Sequence, residues 1–152
     1  LPEVVGMKGE DGPPKGVPHR EGGMDAHGYG TMLEILSERP LPPSIVEELL
    51  RRMVTEIGER CLQAGARAIG HIKCYLKADQ GYAKADIVRL KQGAYSESKL
   101  KTGINGGSLV INSILLGLPD DAVERITMAA IRSLFAEYGV ALASQKECHP
   151  DH

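Results

Sequence analysis

The side chains best able to do chemistry in this chain are scattered rather than set at a familiar catalytic spacing. His71, Lys73, Lys84 and Asp86 occupy alternate positions of two neighbouring stretches, and Asn112 a matching position of a third. An imidazole, two ammonium groups and a carboxylate could do general acid–base work if they converged on one point. Lying side by side on a surface, they would instead make a polar patch suited to docking. A second set is metal-directed. His19 and His27 flank Asp25, and Cys148, His149, Asp151 and His152 follow one another near the C-terminus. Imidazole and thiolate suit zinc or cobalt. Both groups fall on loose sequence, so any ion at His19 and His27 is expected to bind weakly, and a solvated histidine is the competing reading.

Motifs for other chemistry fail in their details. Gly65 to Gly70 has the glycine spacing of a phosphate-binding loop, but His71 and Ile72 stand where Lys and Ser or Thr must contact phosphate and magnesium. The stretch also runs from a helical pattern into a strand pattern, the reverse of what such a loop requires. The glycines between Gly103 and Gly107 could form an anion-binding nest or simply turn the chain into the next strand. There is no H-E-x-x-H, no G-x-S-x-G, and no Cys framed locally by His and Asn.

The elements that must position these residues follow from periodicity. From Ala68 to Leu76 the alternate residues Ala68, Gly70, Ile72, Cys74 and Leu76 are small or apolar, and Ala83, Ala85 and Ile87 repeat the pattern after Ala78-Asp79-Gln80-Gly81. A period of two with a short Gly-ending link predicts a hairpin covered on one face. Leu33 and Ile35 predict a short strand after Thr31, ended by Pro40, Pro42 and Pro43. Leu109, Ile111, Ser113 and Leu115 predict another. Ser44 with Glu47, and Asp121 with Glu124, have the spacing of capping boxes. Ile45, Leu49, Leu50, Met53, Val54, Ile57 and Cys61 then recur at helical intervals, as do Val123, Ile126, Ala130, Ile131, Leu134 and Tyr138. Gln92 to Gly107 is expected to be mostly irregular.

The expected fold is α+β: a two-layer domain with about four mainly antiparallel strands and both helices on one face, in the order strand, helix, three strands, helix. Residues 1–30, rich in Gly and Pro, are expected to form a flexible linker, 31–139 the domain, and 140–152 a flexible tail. The open sheet face would carry His71, Lys73, Lys84, Asp86 and Asn112.

Lys and Arg total 18 against 20 Asp and Glu, for a formal net charge of -2, which removes the electrostatic case for general nucleic-acid or membrane binding. Trp is absent and Phe occurs once, so stacking platforms for bases are not expected. No apolar run is long enough to span a bilayer. Three cysteines without C-x-x-C spacing suit a reduced, cytoplasmic protein. The chain starts at Leu1 rather than Met, as a fragment of a longer protein would.

Three segments taken together add a family resemblance. His27-Gly28-Tyr29-Gly30-Thr31, the turn Glu38-Arg39-Pro40-Leu41-Pro42 and the helix start Glu47-Glu48-Leu49-Leu50 resemble the opening of the C-terminal domain of CobW-type GTPases, the metal-chaperone and cobalamin-synthesis family. Gly70-His71-Ile72-Lys73 and Val110-Ile111-Asn112 are similar to later strands of archaeal and anaerobe-type members. The resemblance covers about residues 27–138 in short motifs. It implies a non-catalytic accessory domain that docks on the GTPase domain of a parent chain or on a metalloprotein client, contributes to metal delivery, or self-associates. The family's P-loop, switch regions, guanine-specificity motif and Cys-rich metal motif are absent from this chain. The alternative is a stand-alone binding or oligomerisation module using the open sheet face. An enzyme acting through His71 and Asp86 is a third reading.

Without the phosphate-loop lysine and the magnesium-binding hydroxyl, the chain is expected to give no micromolar heat of GTP binding by calorimetry. A micromolar isotherm would overturn the non-nucleotide reading.

Overall fold

The computed structural model describes residues 20–21 and 24–148; residues 1–19 of the linker expected over 1–30, with His19, and the metal-directed His149 and His152 lie outside the described residues. Strand β1 (Arg20–Glu21) pairs with the start of β2 (Met24–Leu41). Helix α1 (Pro43–Gln63) leads into the hairpin β3 (Ala68–Ala78) and β4 (Gly81–Ile87). Then come β5 (Tyr95–Ser98), β6 (Ile104–Leu116), α2 (Asp120–Tyr138) and β7 (Val140–Cys148).

Among the described residues the fold is α+β with two α-helices and one antiparallel sheet. Its order is β1-β2-β6-β3-β4-β5, with β7 also paired to β2. The sheet is wider than the four strands expected. Besides the short β1, which lies in the expected linker, two strands were hidden in the sequence. Residues 140–148, expected as a frayed tail, pair with β2 from Gly30 to Ser37, although 141–146 are exposed. Residues 95–98, expected as irregular, pair with β4. Both are edge strands, held mainly by backbone hydrogen bonds, so they need no apolar alternation. Strand β2 also begins at Met24, several residues before the expected Thr31.

The hairpin matches its expectation. Lys73 stands opposite Asp86 and Cys74 opposite Ala85. Gly81 closes the turn with φ of 139°, and a Cβ there would collide with the carbonyl oxygen of Lys99. The helices lie where the apolar periodicity places them, but neither capping box forms. Pro42 and Pro119 are the N-caps and make no side-chain bond. Pro43 at the first helical position preorganises the entry to α1, and Asp120 and Asp121 in the first turn suit the positive end of α2. Glu47 instead accepts a hydrogen bond from Ser96 Oγ at 2.7 Å. Gly139 ends α2 in the left-handed conformation, φ 69°.

Both helices cover one sheet face and pack against each other. Their buried stripes, including Leu49, Leu50, Met53, Ile57, Ile131 and Leu134, meet Leu33, Ile72, Leu76, Ile87, Leu109, Ile111 and Leu115 in one core. Three hydroxyl-bearing residues, Thr31, Ser113 and Thr127, are fully buried. Thr127 Oγ1 donates to Ser113 Oγ at 3.1 Å. Thr31 Oγ1 donates to the Lys146 carbonyl at 3.3 Å, tying β7 to β2. At the surface, Arg52 of α1 forks onto Glu137 of α2, and the Tyr138 phenol donates to Glu48. The fork stabilises the Glu137 carboxylate below the usual range. These pairs are exposed and fix the helix angle more than they add stability.

Ile72 and Ile111 are fully buried whereas Lys73 is exposed. In urea unfolding, Ile72→Ala or Ile111→Ala is expected to cost about 2–5 kcal/mol, and Lys73→Ala less than about 0.5 kcal/mol. Equal costs for Ile72→Ala and Lys73→Ala would reverse the assignment of faces.

Candidate functional site: the outer sheet face

With the helices on one side, the even-numbered residues of β2, β4 and β6 and the odd-numbered ones of β3 from His71 onward point to the other. Cross-strand register arranges them in rows. The middle row runs Lys146, Met32, Val110, Tyr75, Lys84, Glu97. The next runs Gly30, Asn112, Lys73, Asp86, Tyr95. On the far side of that row His71 stands opposite Ile114 and Ile114 opposite Gly28. On the other side of the middle row Glu34, Ser108 and Lys77 line up, followed by Tyr82.

The structure therefore brings Asn112, Lys73 and Asp86 into one row, with Lys84 in the row beside it. His71 is set apart by a register shift between Ile69 and His71. Lys73 and Lys84 are exposed, and His71, Asp86 and Asn112 are half-buried. Opposite charges facing across strands, as at Lys73 and Asp86, stabilise a sheet by about 0.2–1 kcal/mol. The arrangement is a mixed polar and apolar surface, and the register sets His71 opposite Ile114 and Asp86 opposite Lys73 rather than His71 against Asp86.

The alternation that turns Lys73 and Lys84 outward also turns Tyr75 and Tyr82 outward, whereas Tyr95 and Glu97, in a stretch expected to be irregular, were missed. The rings of Tyr75 and Tyr82 stack with centroids 5.4 Å apart and planes 18° from parallel. The Tyr82 hydroxyl donates to Glu97 Oε2 at 2.6 Å and the Tyr95 hydroxyl to Glu97 Oε1 at 3.3 Å. Tyr75 is 40% exposed and Tyr95 59%. Hydrogen bonding from Tyr82 holds the Glu97 carboxyl below its ordinary range, and the same bond holds the Tyr82 phenol above its own. The signal available in the sequence was the alternation of Tyr95 and Glu97 with Ser96 and Ser98. Ser96 points to the helices, where Arg51 Nη1 donates to it at 3.0 Å. At the glycine end of β6 a shallow groove of about 730 Å³ is bordered by Glu34, Leu36, Lys77, Asp79, Asn105 and Ser108. Ser108 Oγ donates to Glu34 Oε2 at 2.6 Å across it.

His27 does not sit on a loose linker. It lies in β2, on the face opposite His71, with Nδ1 3.2 Å from Asp120 Oδ1 at the start of α2. The same carboxylate oxygen accepts the Gly28 N–H at 2.9 Å. Among the described residues, no three His, Cys, Asp or Glu side chains gather as a metal site. The Cys61 and Cys74 thiols are free and buried, and burial pushes them up to about 11 and about 12. Neither is an ionised nucleophile near neutral pH. No helix among the described residues is long and apolar enough to cross a membrane.

No family model matches the chain, and no solved structure matches it. It is 28% identical over 89 residues to phosphoribosylformylglycinamidine cyclo-ligase from Streptococcus pneumoniae strains Hungary19A-6 and CGSP14. The matched stretch is 59% of this chain but 25% of the enzyme, so the chain spans about a quarter of the length of the curated relatives it matches.

The Tyr82–Glu97 bond has a titration signature. Glu97 has its pKa depressed in the folded chain, so its contribution to stability is present above the unfolded carboxyl pKa and is lost as pH falls through the folded value. By NMR, Tyr82→Phe is expected to move the Glu97 carboxyl titration up towards the ordinary range. An unmoved titration would show that the bond does not hold in solution.

Proposed function

We propose that this chain is a non-catalytic docking domain whose outer sheet face receives another protein. The observation that carries the proposal is the composition of that face. Leu36, Tyr75 and Tyr95 are exposed on it, and Met32, Val110 and Ile114 are half-buried beside them, ringed by lysines and carboxylates. Protein interfaces share this plan of an apolar, tyrosine-bearing centre with a charged rim. The short motifs shared with the C-terminal domain of CobW-type GTPases supply the context: an accessory domain in a cytoplasmic metal-trafficking protein, with the GTPase domain or a metalloprotein client as partner. Metal delivery enters this reading through His27, whose imidazole would exchange its Asp120 contact for a zinc or cobalt ion, with His19 as second donor.

The similarity over 89 residues supports a second reading, in which the chain is a piece of a cyclo-ligase-like enzyme and the face packs on the rest of that enzyme.

The test is a titration of the isotope-labelled chain with the GTPase domain of a CobW-type protein. Shifts at Met32, Tyr75 and Val110 are expected. Shifts confined to α1 and α2 would sink the docking surface. Shifts on the face only with the remainder of the pneumococcal cyclo-ligase would favour the second reading.

A further inference from the structure

We infer that the outer face also binds a second copy of this chain, face to face about a two-fold axis running along the strands between β6 and β3. The inference rests on the docking reading and names one occupant of that surface. Three observations carry it.

The first is self-complementarity. The middle row begins with a lysine, Lys146, ends with a carboxylate, Glu97, and has Val110 and Tyr75 at its centre on β6 and β3. A two-fold axis between β6 and β3 exchanges β6 with β3, β2 with β4 and β7 with β5 of the other copy. It sets Val110 against the second copy's Tyr75 and Lys146 against the second copy's Glu97, each contact occurring twice. In the rows on either side, Asn112 meets Lys73, and Glu34 meets the phenol-bearing Tyr82. No like charges face each other across these pairs. Aligned sheets cross at about 30°, and the offset this creates at the rim is within reach of lysine and glutamate side chains.

The second is size. Six neighbouring strands about 4.8 Å apart, five of them offering seven or more residues and β5 four, give a face of roughly 600 Å² in projection. A standard stable interface needs about 800 Å² of accessible surface from each partner, which a corrugated face of this extent supplies.

The third is charge balance. Lysines 73, 77, 84 and 146 are interspersed with Glu34, Asp86 and Glu97. A surface made for a polyanion or an acidic partner would carry one sign. This one suits a partner carrying the same mixture.

Sedimentation velocity of the whole chain over a micromolar concentration series tests the inference, with circular dichroism as the check on folding. A dimer is expected, and Val110→Asp is expected to leave a folded monomer. Lys146→Glu and Glu97→Lys should each weaken association by about fivefold, because each removes two rim pairs worth about 0.5 kcal/mol apiece. The double swap should restore it. A chain that stays monomeric, or a double swap no tighter than the singles, overturns the inference. If the chain is monomeric while the GTPase-domain titration still shifts Met32, Tyr75 and Val110, the self-association fails and the docking reading stands. A dimer indifferent to Val110→Asp would place self-association on another surface and overturn the inference as well.

Discussion

Strand β6 is hydrogen-bonded along both of its edges, to β2 on one side and β3 on the other, and the rest of the domain follows from that double pairing. Each of its side chains is thereby committed to one of two environments. Leu109, Ile111, Ser113 and Leu115 go under the helices, and Val110, Asn112 and Ile114 go to the outer face. A slip of one residue would exchange the two sets and put Asn112 into the core. The core residues of β2, β3 and β4 inherit their facing from this register, and so do the residues of the outer face. One constraint thus fixes the packed interior and displays the surface.

The two faces differ in how they satisfy polar groups. Under the helices, the fully buried Thr127 and Ser113 hydroxyls bond to each other, and Gln145 Nε2 donates to Tyr29 and Thr31. Buried polar groups need such partners. On the outer face, the paired phenols on Glu97 and the stacked Tyr75 and Tyr82 rings hold a preformed pattern while leaving aromatic surface exposed. Tyrosines held this way lose little conformational freedom when a partner covers them.

Much of this was legible in the sequence wherever an element buries one face. The alternation through Ile72, Cys74 and Leu76, and through Ala83, Ala85 and Ile87, is a direct record of the core. The same alternation places Lys73 and Asp86 on the opposite, outward face. Illegible were the edge strands. In 95–98 and 140–148 the stabilising partner is a neighbouring backbone, which leaves no apolar rhythm, so the Tyr95 and Glu97 part of the face went unseen. His27 was hidden for a related reason: the glycines around it read as linker, whereas in the sheet Gly28 and Gly30 are buried positions facing Ile114 and Asn112. The capping boxes failed because prolines, Pro42 and Pro119, occupy both N-cap positions, so the helices start before Ser44 and Asp121.

The domain folds with one mixed, tyrosine-bearing sheet face finished as a surface rather than as core. Paramagnetic relaxation from a soluble spin probe, measured on methyl-labelled protein at dilute, monomeric concentration, tests it most directly. Strong broadening is expected at the Val110 methyls and little at its neighbour Ile111. Equal protection of the two would mean that the outer face is already covered within the chain, and would contradict this arrangement.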